Sequence, residues 1–130
     1  MNLDGYGQHD TRTLQTDCAR FSGGKFEPTY PYLADDVSFN MVGEKLINGK
    51  DEVIAFCNQT AQYFTTVATK FTLDNVITDG DCIAINGTAE FYIEKESRTN
   101  FISSCDVYKF EDGLLKEITS YCISTRKEQQ

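Results

Sequence analysis

Hydrophobic spacing changes character partway along the chain. From Asp10 to Phe21, the apolar residues Leu14, Cys18, Ala19 and Phe21 recur at near-helical intervals, which predicts an amphipathic helix. Asp10 and Thr11 suit its start, and Gly23-Gly24 its end. A second, short helix is expected over Phe26–Leu33, with Pro28 tolerated in its first turn and Pro31 limiting its length. Val37, Phe39 and Met41 then alternate with Ser38, Asn40 and Val42, the pattern of a short strand. Gly43 and Gly49 bracket EKLIN, which reads as a loop. A longer helix opens at Lys50 or Asp51 and carries Val53, Ile54, Cys57, Ala61 and Phe64 on one stripe. The β-branched run Thr65-Thr66-Val67 ends it.

From Lys70 onward the period is two, and four strands are predicted at about 70–78, 82–93, 99–111 and 114–124. DGD at 79–81 and EDG at 111–113 read as hairpin turns, and Glu94–Arg98 as the turn between them. Gly87 interrupts the second long strand and suggests a bulge. The organisation is a lead-in (1–10), one α+β domain (11–124) and a polar tail (125–130). Its expected architecture is a curved, mostly antiparallel sheet wrapped around about three helices, enclosing a conical pocket. Such a pocket is the default ligand site.

Composition narrows the options. The chain has 130 residues, one domain's worth. Twelve Lys and Arg against twenty Asp and Glu give a net charge of −8, so a phosphate backbone would be repelled and no nucleic-acid partner is expected. No apolar run is long enough to span a membrane. The first ten residues lack the basic start and apolar middle of a signal peptide, so a cytoplasmic location is expected. Cys18, Cys57, Cys82, Cys105 and Cys122 are scattered, odd in number and without a C-x-x-C pair. They read as thiols serving as small hydrophobes rather than as a zinc or disulfide framework. The one histidine is His9, which argues against His-based metal sites and histidine-assisted nucleophiles. Asp79 and Asp81 supply too few oxygens for a metal. With Asp35, Asp36 and Glu44 they read as solubilising charges, and neither metal nor cofactor is expected.

Three segments carry a family resemblance: FSGGKFEPTYPYLADDVSF (21–39), INGKDEVIAF (47–56) and DVYKFEDGLLKEITSY (106–121). Their order and spacing resemble the nuclear transport factor 2-like superfamily, in particular the SnoaL-like polyketide cyclases and the ketosteroid isomerases. The resemblance implies a pocket between the helices and the concave sheet face. It also implies a homodimer through the opposite face, where Thr88, Glu90, Tyr92, Ser103, Cys105, Val107, Thr119 and Tyr121 fall.

The resemblance also nominates residues. Asp106 matches the position where ketosteroid isomerases hold a protonated aspartic acid facing the pocket; here it is the leading candidate for an acid, a base or an oxyanion donor. Met41 falls where those isomerases keep their catalytic base, and Asp17 where they keep an oxyanion-binding tyrosine. Asp17 is therefore a second acidic candidate, while ketosteroid isomerisation itself is disfavoured. Arg98 falls in a turn, which fits poorly with the Asp-Arg-Asp constellation of the family's epoxide hydrolases. Strand alternation adds Ser104 and Tyr108 to the face of Asp106, Ile118, Ser120 and Cys122 on the last strand, and Phe91 on the second long strand. Phe56, Tyr63 and Phe64 are expected to close the pocket, with Phe39 and Met41 near its mouth. The expected ligand is a small, largely apolar molecule, turned over by proton transfer. The alternatives are a non-catalytic binding protein and a homo-oligomeric scaffold.

Overall fold

The Asp10 side chain accepts the Thr13 N–H at 2.8 Å and thereby caps α1 (Thr11–Ser22), which ends at Gly23. Leu14, Cys18 and Phe21 line its buried stripe. The computed structural model describes residues 10–125. The lead-in before Asp10, His9 included, and the tail from residue 126 lie outside the described residues.

The short second helix is a 3-10 turn, Glu27–Tyr32, in which the buried Thr29 hydroxyl donates to the Phe26 carbonyl at 2.8 Å. It delivers the chain directly into β1 (Leu33–Met41), so the first strand starts four residues before Val37. EKLIN is not a loop: Lys45–Asn48 forms β2, pairing antiparallel with β1 so that Ile47 stands opposite Phe39. Four residues carry too little alternation to reveal a strand on their own; pairing with β1 makes it one. α2 (Lys50–Phe64) follows and packs on β1.

The remaining strands are β3 (Ala68–Asp79), β4 (Cys82–Ile93), β5 (Arg98–Glu111) and β6 (Leu114–Thr125). The sheet runs β2-β1-β6-β5-β4-β3. Its β1–β6 pair is parallel and the others are antiparallel. It curves without closing, and α1 lies over β4 and β3. Glu94–Glu96 is a 3-10 turn, and Arg98 opens β5 rather than standing in the turn. The β5–β6 hairpin turns at Asp112 and Gly113, with φ of 55° and 81°, the left-handed pair that a tight hairpin requires.

A bulge does occur beside Gly87, but the extra residue belongs to β3. Leu73 pairs with Gly87 and Asn75 with Asn86, leaving Asp74 over. Gly87 is needed for a different reason: a Cβ there would collide with the Phe71 ring. The core between helices and sheet includes Val37, Val53, Cys57, Ile83, Ile85, Leu115 and Ile118, all essentially buried. Among the described residues no helix is long and apolar enough to cross a membrane.

Candidate functional site

Above this core the sheet and helices diverge and leave a cavity of about 480 Å3. Strand register sets its floor. Asp106 pairs with Ser120, Ser104 with Cys122 and Ile102 with Ser124, and directly paired residues share a face. All six line the cavity, as do Ala89 and Phe91 of β4. α2 supplies Phe56, Thr60, Tyr63 and Phe64, positions that recur on one helical face. The end of α1 supplies Phe21 and Ser22, β1 supplies Phe39 and Met41, and the β1–β2 turn supplies Glu44.

The aromatic rings form one connected wall. Phe21 meets Phe26 at 4.8 Å and Phe39 at 5.5 Å between centroids, and Phe39 meets Phe56 at 6.0 Å. Phe64 links Phe26, Tyr63 and Phe91 at 6.4, 6.1 and 5.7 Å.

Asp106 is 6% exposed and fully engaged. Its Oδ2 accepts from Ser22 Oγ and its Oδ1 from Ser120 Oγ, both at 2.6 Å. Ser22 Oγ also lies 2.6 Å from the Tyr108 hydroxyl, and Ser120 Oγ lies 3.4 Å from Cys122 Sγ. A serine hydroxyl has one proton. With both serine protons committed to the carboxylate, Tyr108 donates to Ser22 and the Cys122 thiol donates to Ser120. Two relays, one from a phenol and one from a thiol, therefore converge on one carboxylate.

Burial pushes the Asp106 carboxyl above its usual range, opposed by the two serine bonds. Burial and then the Asp106 charge push the Tyr108 phenol up. Burial also raises the Cys122 thiol. A carboxyl raised in this way keeps its proton to higher pH than an ordinary one, the direction that proton transfer to a ligand needs.

The other candidates distribute as follows. Asp17 is buried but outside the cavity wall. Its Oδ2 accepts the Tyr32 hydroxyl at 2.5 Å, and its Oδ1 accepts from Arg20 at 3.2 Å. The structure thus gives Asp17 the role of tying α1 to the 3-10 turn, because its carboxylate is bonded to Tyr32 of that turn and to Arg20 of its own helix. Tyr108 and Ile118 pack in the core beneath the cavity. Tyr63 lies at the rim, 54% exposed. Ser22 and Glu44 join the site without having been nominated: a serine at a helix end and a glutamate in a turn carry no periodic signal, and Glu44 reads from sequence as a solubilising charge.

A second concavity of about 480 Å3 runs between α1 and β3. Its charged groups, Arg12, Arg20 and Lys25, are all exposed, so it lacks the buried polar network of the first. Among the described residues no group of three His, Cys, Asp or Glu side chains is placed to hold a metal, and all five cysteines are free thiols.

Comparison with known proteins agrees with this fold. The SnoaL-like domain model matches residues 16–118. A nuclear transport factor 2-like protein of unknown function from Cytophaga hutchinsonii is 35% identical, with a TM-score of 0.79 over 86% of this chain and 97% of that one. An LEH-like epoxide hydrolase from M. tuberculosis is 17% identical, with a TM-score of 0.63 over 86% and 80%. A protein from Jannaschia sp. CCS1, provisionally assigned as a SnoaL-like polyketide cyclase, is 13% identical, with a TM-score of 0.68 over 87% and 86%. No curated protein matches the chain. The last two likenesses concern the fold alone.

Proposed function

The chain belongs to the SnoaL-like domain family, and from that premise we propose that it binds a small, largely apolar molecule in the cavity and exchanges a proton with it through Asp106. One observation carries the reading: a carboxyl 6% exposed, on the floor of a cavity walled by aromatic rings, with a serine hydroxyl on each oxygen. A buried carboxyl of this kind changes its charge state when a polar group of the ligand arrives beside it. Protonated, it donates to a developing oxyanion; ionised, it takes a proton from an acidic carbon or hydroxyl next to a carbonyl.

The test has two stages. Small carbonyl-bearing apolar compounds are screened by NMR for binding that perturbs Phe56 and Phe91, and the compounds that bind are assayed for turnover in the wild type and in Asp106→Asn. Turnover lost in the variant supports the proton-transfer reading. Turnover unchanged in the variant removes it, and an empty screen removes the cavity reading as well.

A second reading, binding without turnover, draws support from the cavity having no second carboxyl or histidine in hydrogen-bond contact with Asp106 among the described residues. Met41 lines the wall where a base is otherwise expected, and Glu44 stands in the turn between β1 and β2. Ligand carried through purification with no detectable turnover favours it.

We also propose a homodimer through the outer sheet face. Ile77, Tyr92, Tyr121 and Ile123 are 60%, 43%, 49% and 65% exposed there, an apolar surface of the kind subunit contacts cover. Sedimentation showing a monomer at all concentrations removes that proposal. Free thiols at all five cysteines suit a reducing compartment such as the cytoplasm.

A further inference from the structure

The cavity wall has an unusual charge and ring content. Seven of its twenty lining residues are Phe or Tyr, two are carboxylic acids, and none is Lys, Arg or His. An aromatic face carries negative potential, and a cation held against several such faces away from water is attracted strongly. The two acids add to the same sign: Asp106 on the floor and Glu44 in the β1–β2 turn. No Lys, Arg or His is itself part of the wall, and the whole chain carries −8. One of these rings is already taken by a cation of the chain itself, which leaves the other six for a ligand. Lys45 Nζ lies over the Phe56 ring, 5.3 Å from its centroid.

We infer that the ligand of this cavity is a small organic ammonium, an amine carrying apolar groups, held between the aromatic wall and the carboxylates of Glu44 and Asp106. The inference rests on reading the cavity as a small-molecule site and narrows that reading to one charge class. The rings take the alkyl or aryl groups and the N–CH faces of the ammonium. Asp106 lies below, held by its two serine bonds, and an ammonium above it favours the ionised carboxylate that supplies countercharge. An anionic ligand would meet two carboxylates and no donor cation. A neutral ligand of the same shape fills the same space but forgoes the ring and carboxylate attraction.

Three probes of similar size separate these cases by calorimetry or NMR titration at low salt: benzyltrimethylammonium, its neutral isostere neopentylbenzene, and phenylacetate. The expected result is that the ammonium binds about tenfold more tightly than the isostere, with phenylacetate weakest. Glu44→Gln and Asp106→Asn are each expected to weaken the ammonium severalfold and leave the isostere unchanged. Isostere binding equal to or tighter than ammonium binding overturns this inference and leaves the small-molecule reading standing. Failure of all three probes overturns both. Ammonium binding that neither variant weakens also overturns it, because the cation then sits elsewhere.

Discussion

Ser22 Oγ sits 2.6 Å from Asp106 Oδ2 across 84 residues of sequence. That bond joins the last residue of α1 to the middle of β5, so it fixes how the first helix closes over the sheet. It also determines the state of Tyr108, whose hydroxyl has Ser22 as its acceptor. Tyr108 is fully buried, and a buried phenol stripped of its partner costs about 1–3 kcal/mol. Ser22→Ala is therefore expected to destabilise the fold by that amount in urea denaturation. Adding Tyr108→Phe to Ser22→Ala should recover much of the loss, since the orphaned hydroxyl goes with it. A Ser22→Ala protein as stable as wild type would show that Tyr108 does not depend on this bond.

The raised Asp106 carboxyl makes a signed prediction about pH. Its ordinary value is 3.8 and burial lifts it in the folded protein. Between those two values the folded state holds a proton that the unfolded chain has released. Folding stability therefore falls as pH rises through that window and levels off above it. Asp106→Asn lacks this titration, so its melting temperature should gain on the wild type as pH rises from the ordinary carboxylate range upward. A difference that stays constant across a pH series would mean the carboxyl is not shifted.

Asp17 and Tyr32 form a buried pair of their own, and neither lines the cavity. Tyr32→Phe removes the 2.5 Å bond to a buried carboxylate and should cost about 1–3 kcal/mol. Cavity binding, measured with the same probe in both proteins, should be unchanged in the variant, because Asp17 does not line the cavity. Lost binding in a variant that still folds would restore Asp17 as a site residue.

These relationships separate what the chain's pattern reveals from what only packing reveals. Strict alternation over β4, β5 and β6 exposes the strands, and it places Ser104, Asp106 and Ser120 on one face before any coordinates exist. Asp17 shares the helical stripe of Leu14, Cys18 and Phe21, so its burial is legible, but periodicity says nothing about whether its carboxyl meets the sheet or a neighbouring turn. β2 is hidden because a four-residue strand needs its partner β1 to define it. Ser22 and Glu44 are hidden because they stand at the end of a helix and in a turn, where side-chain direction follows from tertiary packing rather than from a repeat. The bulge beside Gly87 is visible as a glycine in a strand, but whether β3 or β4 carries the extra residue depends on register.

Gly87→Ala tests why that position is a glycine. The added methyl meets the Phe71 ring, and a ring forced out of place in a packed site costs about 1–3 kcal/mol. Thermal unfolding should show the loss, and the Phe71 ring resonances should move more than those of Phe39, which stands on β1, four strands away from β3 in the sheet order. Unmoved Phe71 resonances would mean the ring does not cover Gly87 in solution.

Thiol chemistry reads the cavity and the outer face in one experiment. Cys18 and Cys57 are 1% and 0% exposed, and burial pushes the Cys57 thiol up to about 12, so neither should alkylate until the protein unfolds. Cys122 lines the cavity at an exposed position. Partial removal of its thiol from water within the cavity raises it, so its alkylation should quicken as pH rises. Cys105 is half-buried on the opposite sheet face. Peptide mass spectrometry after timed alkylation should therefore find Cys122 modified well before Cys18 or Cys57. A molecule occupying the cavity should slow Cys122 and leave Cys105 unaffected. Raising protein concentration should slow Cys105 and leave Cys122 unaffected if copies associate through the outer face. Protection of Cys122 by concentration alone would place the subunit contact at the cavity mouth, and the proposed dimer would then be wrong.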